Sequence, residues 1–470
     1  MKLSKSDILK IPHNKVFGFD EVKDFRISGV SLDSRSVKAG QLFLAIRGDQ
    51  FDGHNFISKA IEAGAAGIIV ERRWAESNEA MMVSIYVPRI VVENTVRALG
   101  HLANLYRRKF DIPIIAIGGS NGKTTTKDML KNVLGRKYRI LCTEGNLNNH
   151  IGVPQTLFRL EKNHEAAVVE IGTNHPGEIE YLCSILEPTH GLITNIGREH
   201  LEFFGTIEGV AKAENELFDW LALHHGTAFV NADDIYLARS SKKLKKVIRY
   251  GFSTRSTGIK GTVKSLNQHA HPLLQIKPQG KKSFECLVGV PGEHNAKNAL
   301  AAAAVGFTMK VPPADIQKAL ASFPSSNKRM QVQRIAKVTI LNDTYNANPD
   351  STLAALATLH AMRTKGKKIA ILADMLELGP HTSELHGQIG KILSQYGINL
   401  LLTFGPLSKS LHDTALVETK AHFESKAALT EYLVHAMADG DIVLIKGSRG
   451  MKMEDVVTGM TEQRSPKTGR

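Results

Sequence analysis

Cysteine, aromatic residues and long apolar runs are all scarce in this chain. The three cysteines, Cys142, Cys183 and Cys286, lie far apart, match no CxxC spacing and leave an odd thiol under any pairing. That excludes a disulfide framework or a zinc knuckle and reads them as reduced packing residues. No apolar run approaches the roughly 18 residues a membrane helix needs, the candidates being short stretches such as Ala299 to Phe307; no membrane span is expected. Residues 1–12 carry Lys2, Lys5, Asp7 and Lys10 but no apolar core, so no secretory signal is readable and a cytoplasmic location is expected. Aromatics make up 6% of the sequence, and no basic array interleaved with them is present to stack bases; nucleic acid is not an expected partner.

What is present is ordinary globular composition, 42% hydrophobic and 23% charged over 470 residues, enough for about three domains. Lys and Arg number 60 against 46 Asp and Glu, a net charge of +14, which favours anionic partners such as phosphorylated small molecules. Part of the excess sits in solvated runs at Lys242 to Lys246, Lys365 to Lys368 and Arg464 to Arg470. Apolar β-rich runs alternate with helical patterns, as in Ile112 to Ile117, Thr124 to Leu134, Ala167 to Ile171 and Glu178 to Leu186. This predicts an α/β fold with mostly parallel sheets. Breaks before Asp111-Ile112-Pro113 and at Phe323 to Asn327 divide the chain into expected domains 1–110, 111–325 and 326–470.

The strand Ile112 to Ile117 runs into Gly118-Gly119-Ser120-Asn121-Gly122-Lys123-Thr124-Thr125-Thr126 and then a helix. Strand, glycine loop and helix form the context of a phosphate loop: glycines let N–H groups face phosphate oxygens, Lys123 supplies a cation and Thr124 a hydroxyl for Mg²⁺. The strict G-x-x-x-x-G-K-[ST] pattern fails, because Ile117 stands five residues before Gly122. A glycine turn with a chance Gly-Lys-Thr is the plain alternative.

Three further residues are candidate metal ligands. Glu170 ends the next strong strand, where a P-loop enzyme often places a Mg²⁺ carboxylate; a solvated strand-end acid reads the same way. His200 follows in Gly197-Arg198-Glu199-His200, although a lone histidine is more often structural. Glu214 falls on the apolar stripe Val210, Leu217, Leu221 of a helix expected over Thr206 to Leu223, while Lys212 points outward. An inward carboxylate is costly unless it meets a cation or metal, so Glu214 is a site candidate or else an acid paired with Arg or backbone.

Beyond these, Gly145 to Pro154, Glu170 to Ile179, Asp343-Thr344-Tyr345-Asn346-Ala347-Asn348-Pro349, Asp374 to Gly379 and Lys446 to Met453 resemble motifs of the Mur ligases, ATP-dependent amide ligases of peptidoglycan synthesis and cell wall biogenesis. The shorter phosphate loop of Gly119 to Thr124 has the form of that family, and the likeness covers nearly the whole chain. It implies a three-domain architecture: a UDP-sugar-binding N-terminal domain, a central ATP-binding domain on a mostly parallel P-loop-type sheet, and a Rossmann-like C-terminal domain that closes on ATP and takes the incoming dipeptide. It also implies addition of D-alanyl-D-alanine to UDP-MurNAc-tripeptide through an acyl phosphate.

By the same resemblance, Ser34 and Arg35 serve the UDP-sugar end, and Gly119, Ser120, Asn121, Gly122, Lys123, Thr124 and Thr125 hold the phosphates. Asn295 contacts adenine, Arg329 the phosphates and Asp343 the ribose, while Asn148, Asn149, Asn174, His175, Tyr345, Asn346 and Asn348 face substrate. Mg²⁺ is held by Thr124, Glu170, His200 and Glu214, and Lys123, Glu170, His200 and Glu214 form the implied catalytic set. One departure stands out: where the family usually carries a carbamylated lysine after the metal-site histidine, this chain has Glu214. A sister ligase, a P-loop module holding nucleic acid and an inactive scaffold are the rival readings. A monomer is the expected state.

Overall fold

Strands covered on both faces read as continuous apolar runs rather than alternating ones. Ile114–Gly118 and Ala166–Glu170 are buried at every position, which is why IIAIG and AAVV carry no polar residue. The computed structural model describes residues 3–464 apart from 23, 49, 254–257 and 326. The start at Met1 and Lys2, the turn residue Ser326 and the basic tail beyond 464 therefore lie outside the described residues. By contact, the chain forms two units, one of Met1–Ala116, Arg139–Gly172 and Glu178–Thr189, the other of Ile117–Tyr138, Thr173–Gly177 and His190–Arg470.

In the first unit a five-stranded sheet runs in the order Lys15–Phe17, Arg89–Val92, Gly67–Glu71, Gln41–Leu44, Gly29–Ser31. It is parallel except for the edge strand Lys15–Phe17. Phe43, Ile57, Ile68, Val70, Trp74 and Val91 fill one core face. The amphipathic stretch expected near 92–110 forms the helix Thr95–Arg107, started by Asn94 accepting the Arg97 N–H. Buried Arg107 at its end donates to the carbonyls of Leu186 and Glu187, satisfying the open C-terminus of the helix Glu178–Leu186. Ile140–Cys142 and Ala166–Glu170 pair in parallel.

In the second unit His190–Ile193, Thr227–Asn231, Lys246–Gly251 and Ile259–Leu266 pair in parallel, and Pro272–Lys277 and Phe284–Leu287 continue antiparallel. The helices Lys123–Leu134, Glu293–Thr308 and Pro313–Ala321 pack on one another. A six-stranded sheet follows in the order Gln331–Ile335, Val338–Asp343, Ile442–Lys446, Lys368–Ala373, Leu400–Phe404, Thr419–Phe423. Only its first strand is antiparallel. The expected parallel α/β layering is thus present in both units. The three cysteines are buried and form no disulfide, and no helix among the described residues is long and apolar enough to cross a membrane.

The segment read as one helix over Thr206 to Leu223 is divided: Ile207–Glu214 and Glu216–Leu223 meet at Asn215, whose side-chain amide donates back to the Ala211 carbonyl at 2.7 Å. Such local side-chain bonding competes with helix continuation. Phe218 beyond the break is fully buried. Phe218→Ala is expected to destabilise the second unit by about 3–5 kcal/mol, measured as a lowered urea midpoint in Trp220 fluorescence in a Trp74→Phe background.

Candidate active site

The phosphate loop is shaped by two left-handed glycines, Gly119 at φ +112° and Gly122 at φ +83°. A Cβ on Gly119 would sit 2.3 Å from Thr194 Oγ1 and 2.7 Å from its backbone N, so this position needs glycine for both angle and room. Around them the loop is tied to the segment after His190–Ile193. Ser120 N–H donates to the Asn195 carbonyl at 2.9 Å, Asn121 N–H to Asn195 Oδ1 at 3.2 Å, and Thr194 Oγ1 and Asn195 Nδ2 to the Asn121 carbonyl, each at 2.7 Å. Gly122 is the N-cap of Lys123–Leu134 and supplies no side-chain acceptor. Thr124 and Thr125 are half-buried in the first turn, at the positive end of that helix, where an anion is favoured.

Under the loop lies a buried charge cluster. Lys123 Nζ donates to the Gly119 carbonyl and lies 3.6 Å from Glu199 Oε2. Glu214 is 1% exposed; its Oε2 accepts the Gly119 N–H at 2.6 Å, and its Oε1 has no partner among the described residues. Burial is the main reason its pKa is pushed up to about 7; Lys123 and the Gly119 N–H oppose the rise and Glu199 adds to it. Burial likewise raises Glu199. The inward placement expected of Glu214 and the outward placement of Lys212 are both observed.

His200 stands at φ +48° and its Nδ1 lies 2.6 Å from Glu377 Oε2, a residue itself at φ +64°. Burial acts to lower the His200 pKa, but the Glu377 and Glu199 carboxylates outweigh it and hold the imidazolium above its ordinary value. With Nδ1 facing a carboxylate, Nε2 remains for a ligand, the arrangement in which metal-bound histidines are oriented. Among the described residues no three His, Cys, Asp or Glu side chains converge into a ready cation cage. Mg²⁺ rarely uses one, since it keeps waters and takes only one or two carboxylates plus phosphate oxygens. A buried carboxylate oxygen without a partner, Glu214 Oε1, fits such an ion.

The carboxyl ends of the six-stranded sheet supply the rest. Asp343 Oδ1 accepts the Met330 N–H at 3.0 Å and Oδ2 lies 2.6 Å from Lys446 Nζ, which is buried and also donates to the Asn346 carbonyl. Arg329 stacks on Tyr345 with its guanidinium carbon 3.6 Å from the ring centroid, and Arg449 lies 5.8 Å from the same centroid. Asn346 is exposed, its Oδ1 accepting the Arg449 N–H at 3.3 Å. Asn348 is an N-cap, accepting the Ser351 N–H, and its Nδ2 donates to Asn121 Oδ1 at 2.9 Å. Asn295 is buried with both amide ends engaged, to the Pro291 carbonyl and Asn298. Asn174 and His175 are exposed, His175 against Phe203.

The remaining candidates belong to the first unit. Glu170 is 2% exposed; its Oε1 accepts from Asn148 Nδ2 at 2.9 Å and its Oε2 has no partner among the described residues, so it too is a buried carboxylate with an open lone pair. Asn149 caps the turn at Ile151 and Gly152. Arg35 is exposed in a bidentate pair with Asp33, and Ser34 is half-buried beside it. Sequence reasoning named neither Glu199, Glu377 nor Lys446 individually. All three sit inside motifs already singled out, and adjacency to His200 was the available signal for Glu199; the pairing of Lys446 with Asp343, 103 residues apart, leaves none in the sequence.

The raised Glu214 pKa has a stability consequence. An unfolded carboxyl releases its proton near 4.5 and the folded one near 7, so the folded state holds an extra proton between these values and loses stability as pH rises through them. Glu214→Gln, with calcium and magnesium chelated, is expected to melt like the parent below pH 4.5 and to be more stable by about 3 kcal/mol at pH 8. Calorimetry across pH 4 to 8 checks this; a difference independent of pH would contradict it.

Comparison with known proteins agrees with this geometry. The Mur ligase family catalytic domain matches residues 26–107, the Mur ligase middle domain 117–306 and the Mur ligase glutamate ligase domain 328–449. The UDP-N-acetylmuramoyl-tripeptide--D-alanyl-D-alanine ligase of Bacillus subtilis is 34% identical over 441 residues, covering 93% of each chain. That of Escherichia coli is 34% identical over 444 residues, 93% of this chain and 95% of its own. Among solved structures, MurF from Acinetobacter baumannii superposes with a TM-score of 0.89 at 29% identity, covering 98% of this chain and 99% of its own. MurF from Thermotoga maritima in complex with ADP gives 0.80 at 27% identity, with 93% and 97% covered. With its glycine loop, its parallel sheets and its sequence matched nearly end to end, the chain belongs to the Mur ligase family.

Proposed function

We propose that this chain is an ATP-dependent ligase that joins D-alanyl-D-alanine to UDP-MurNAc-tripeptide in the cytoplasm, giving the pentapeptide precursor of peptidoglycan. The observation that carries the reading is the match, over more than nine-tenths of both chains, to relatives that share this one activity. Domains near 1–110, 111–325 and 326–470 would serve the UDP-sugar, the ATP and the dipeptide.

The tripeptide's terminal carboxylate attacks the γ-phosphorus of ATP, giving an acyl phosphate and ADP; the dipeptide amine then displaces phosphate. The N–H groups of Gly119 to Thr125 and the Lys123 ammonium bind and orient the phosphates where charge develops. Arg329, held flat on Tyr345, adds a second cation, and Asp343, fixed by Lys446 and the Met330 N–H, presents its remaining lone pairs to the ribose. Thr124, Glu170, His200 and Glu214 would hold Mg²⁺, which when bound neutralises charge on the transferred group. Asn148, Asn149, Asn174, His175, Tyr345 and Asn346 are the proposed substrate contacts. The committed amides of Asn295 and Asn348 favour roles in building the loop's surroundings.

Glu214 stands where relatives of this family carry a carbamylated lysine, and both groups present oxygen anions to Mg²⁺. We infer that a genetically encoded carboxylate replaces the modification. Turnover is therefore expected to be unchanged in buffer freed of bicarbonate; collapse there, with recovery on adding bicarbonate, would overturn the substitution. The activity itself is tested by phosphate release and product mass with ATP, Mg²⁺, D-alanyl-D-alanine and UDP-MurNAc-tripeptide carrying either meso-diaminopimelate or lysine. UDP-MurNAc-pentapeptide is the expected product, and Lys123→Ala is expected to lose at least about two orders of magnitude in turnover. Near-parental turnover would remove Lys123 from the mechanism.

A further inference from the structure

A line of short polar contacts leads from the helix Pro349–Ala361 to the phosphate loop. Asp350, in the first turn of that helix, accepts the backbone N–H of Arg198 on Oδ2 at 2.7 Å and Arg198 Nη2 and Nε on Oδ1 at 2.6 and 3.1 Å. The next residue toward the loop, Gly197, donates its N–H to Ser120 Oγ at 2.8 Å. A larger residue there would displace these side chains, since a Cβ would lie 2.9 Å from Asp350 Oδ2 and 3.1 Å from Asn121 Nδ2. Beside it, the cap residue Asn348 uses its oxygen on the Ser351 N–H at 2.8 Å, which turns its Nδ2 toward Asn121 Oδ1. Both loop residues between the two left-handed glycines are therefore reached from the start of one helix.

We propose that Arg198 and Asp350 are positioning residues, which seat the start of the helix Pro349–Ala361 on the phosphate loop and thereby set Ser120, Asn121 and the loop N–H groups for phosphoryl transfer. The pair acts through the loop it holds, not on a reacting atom. Its two charges are spent on each other in a fork geometry that also engages the Arg198 backbone, which a solvated surface pair does not need. The inference goes beyond the ligase reading and rests on it only for its kinetic arm.

The test is a double-mutant cycle of Arg198→Ala and Asp350→Asn, the second keeping an acceptor for the Arg198 N–H. Two quantities are read: hydrogen exchange of the amides of Gly119, Ser120 and Asn121, and kcat with KM for ATP and for the UDP-linked substrate. Each single variant is expected to speed exchange of those three amides and to lower kcat/KM for ATP, both by roughly tenfold, and the double variant to do no more than one single, because the pair acts as a unit. KM for the UDP-linked substrate is expected to stay within about twofold and the melting temperature within about 2 °C, outcomes a merely structural pair would not preserve. Unchanged loop exchange in both single variants, additive effects in the double, or faster exchange throughout the chain would overturn the proposal. If the parent protein makes no pentapeptide, the ligase reading fails and the exchange cycle alone still decides this one.

Discussion

A single buried hydrogen bond, from the Gly119 N–H to Glu214, ties the phosphate loop to the acid beneath it. A carboxylate at 1% exposure is costly to ionise, and the same burial that raises its pKa strengthens its pull on any cation beside it. Lys123, Glu199 and His200 lie around it, and the left-handed glycines let the backbone turn its N–H toward Glu214 at Gly119. Remove that bond and the loop loses its floor; keep it without a cation and the protein carries an expensive charge.

The C-terminal segment completes the surroundings by strain as much as by attraction. His200 and Glu377 both hold left-handed backbone conformations that non-glycine residues seldom adopt, and they meet each other. Such conformations persist where neighbouring structure over-determines them, and they cluster at functional sites. Around Tyr345 two guanidiniums share one ring, while Lys446 is sunk at the end of a central strand to hold Asp343. Several of the candidate site groups thus stand on strand ends and helix starts, rigid elements that hold them in fixed positions.

Local signals were legible in the sequence and distant pairings were not. The glycine loop between a β-branched strand and a helix declared itself, as did the inward face of Glu214, because both follow from period and spacing within one element. The run from Thr206 to Leu223 read as continuous because no Gly or Pro stands near its middle, Gly209 lying in the first turn, and the break comes instead from the Asn215 amide turning back on Ala211. Asn295 and Asn348 match the pattern of ligand-facing amides, yet an asparagine serves equally as cap or bracket: Asn295 is engaged by Pro291 and Asn298 close by in sequence, and Asn348 also by Asn121, 227 residues away. Glu377 carried no individual mark, since its importance comes from the histidine it meets.

That distance has a consequence for how the protein comes to be. Asn121 and Asn348 are separated by 227 residues and Arg198 and Asp350 by 152, and contacts so remote in sequence form late, after the intervening chain has been ordered. During synthesis the glycine loop emerges early, whereas its last brackets cannot exist until residue 350 has left the ribosome. A nascent chain long enough to show the phosphate-binding motif is still short of the parts that steady it, so readiness for nucleotide arrives with the later part of the chain.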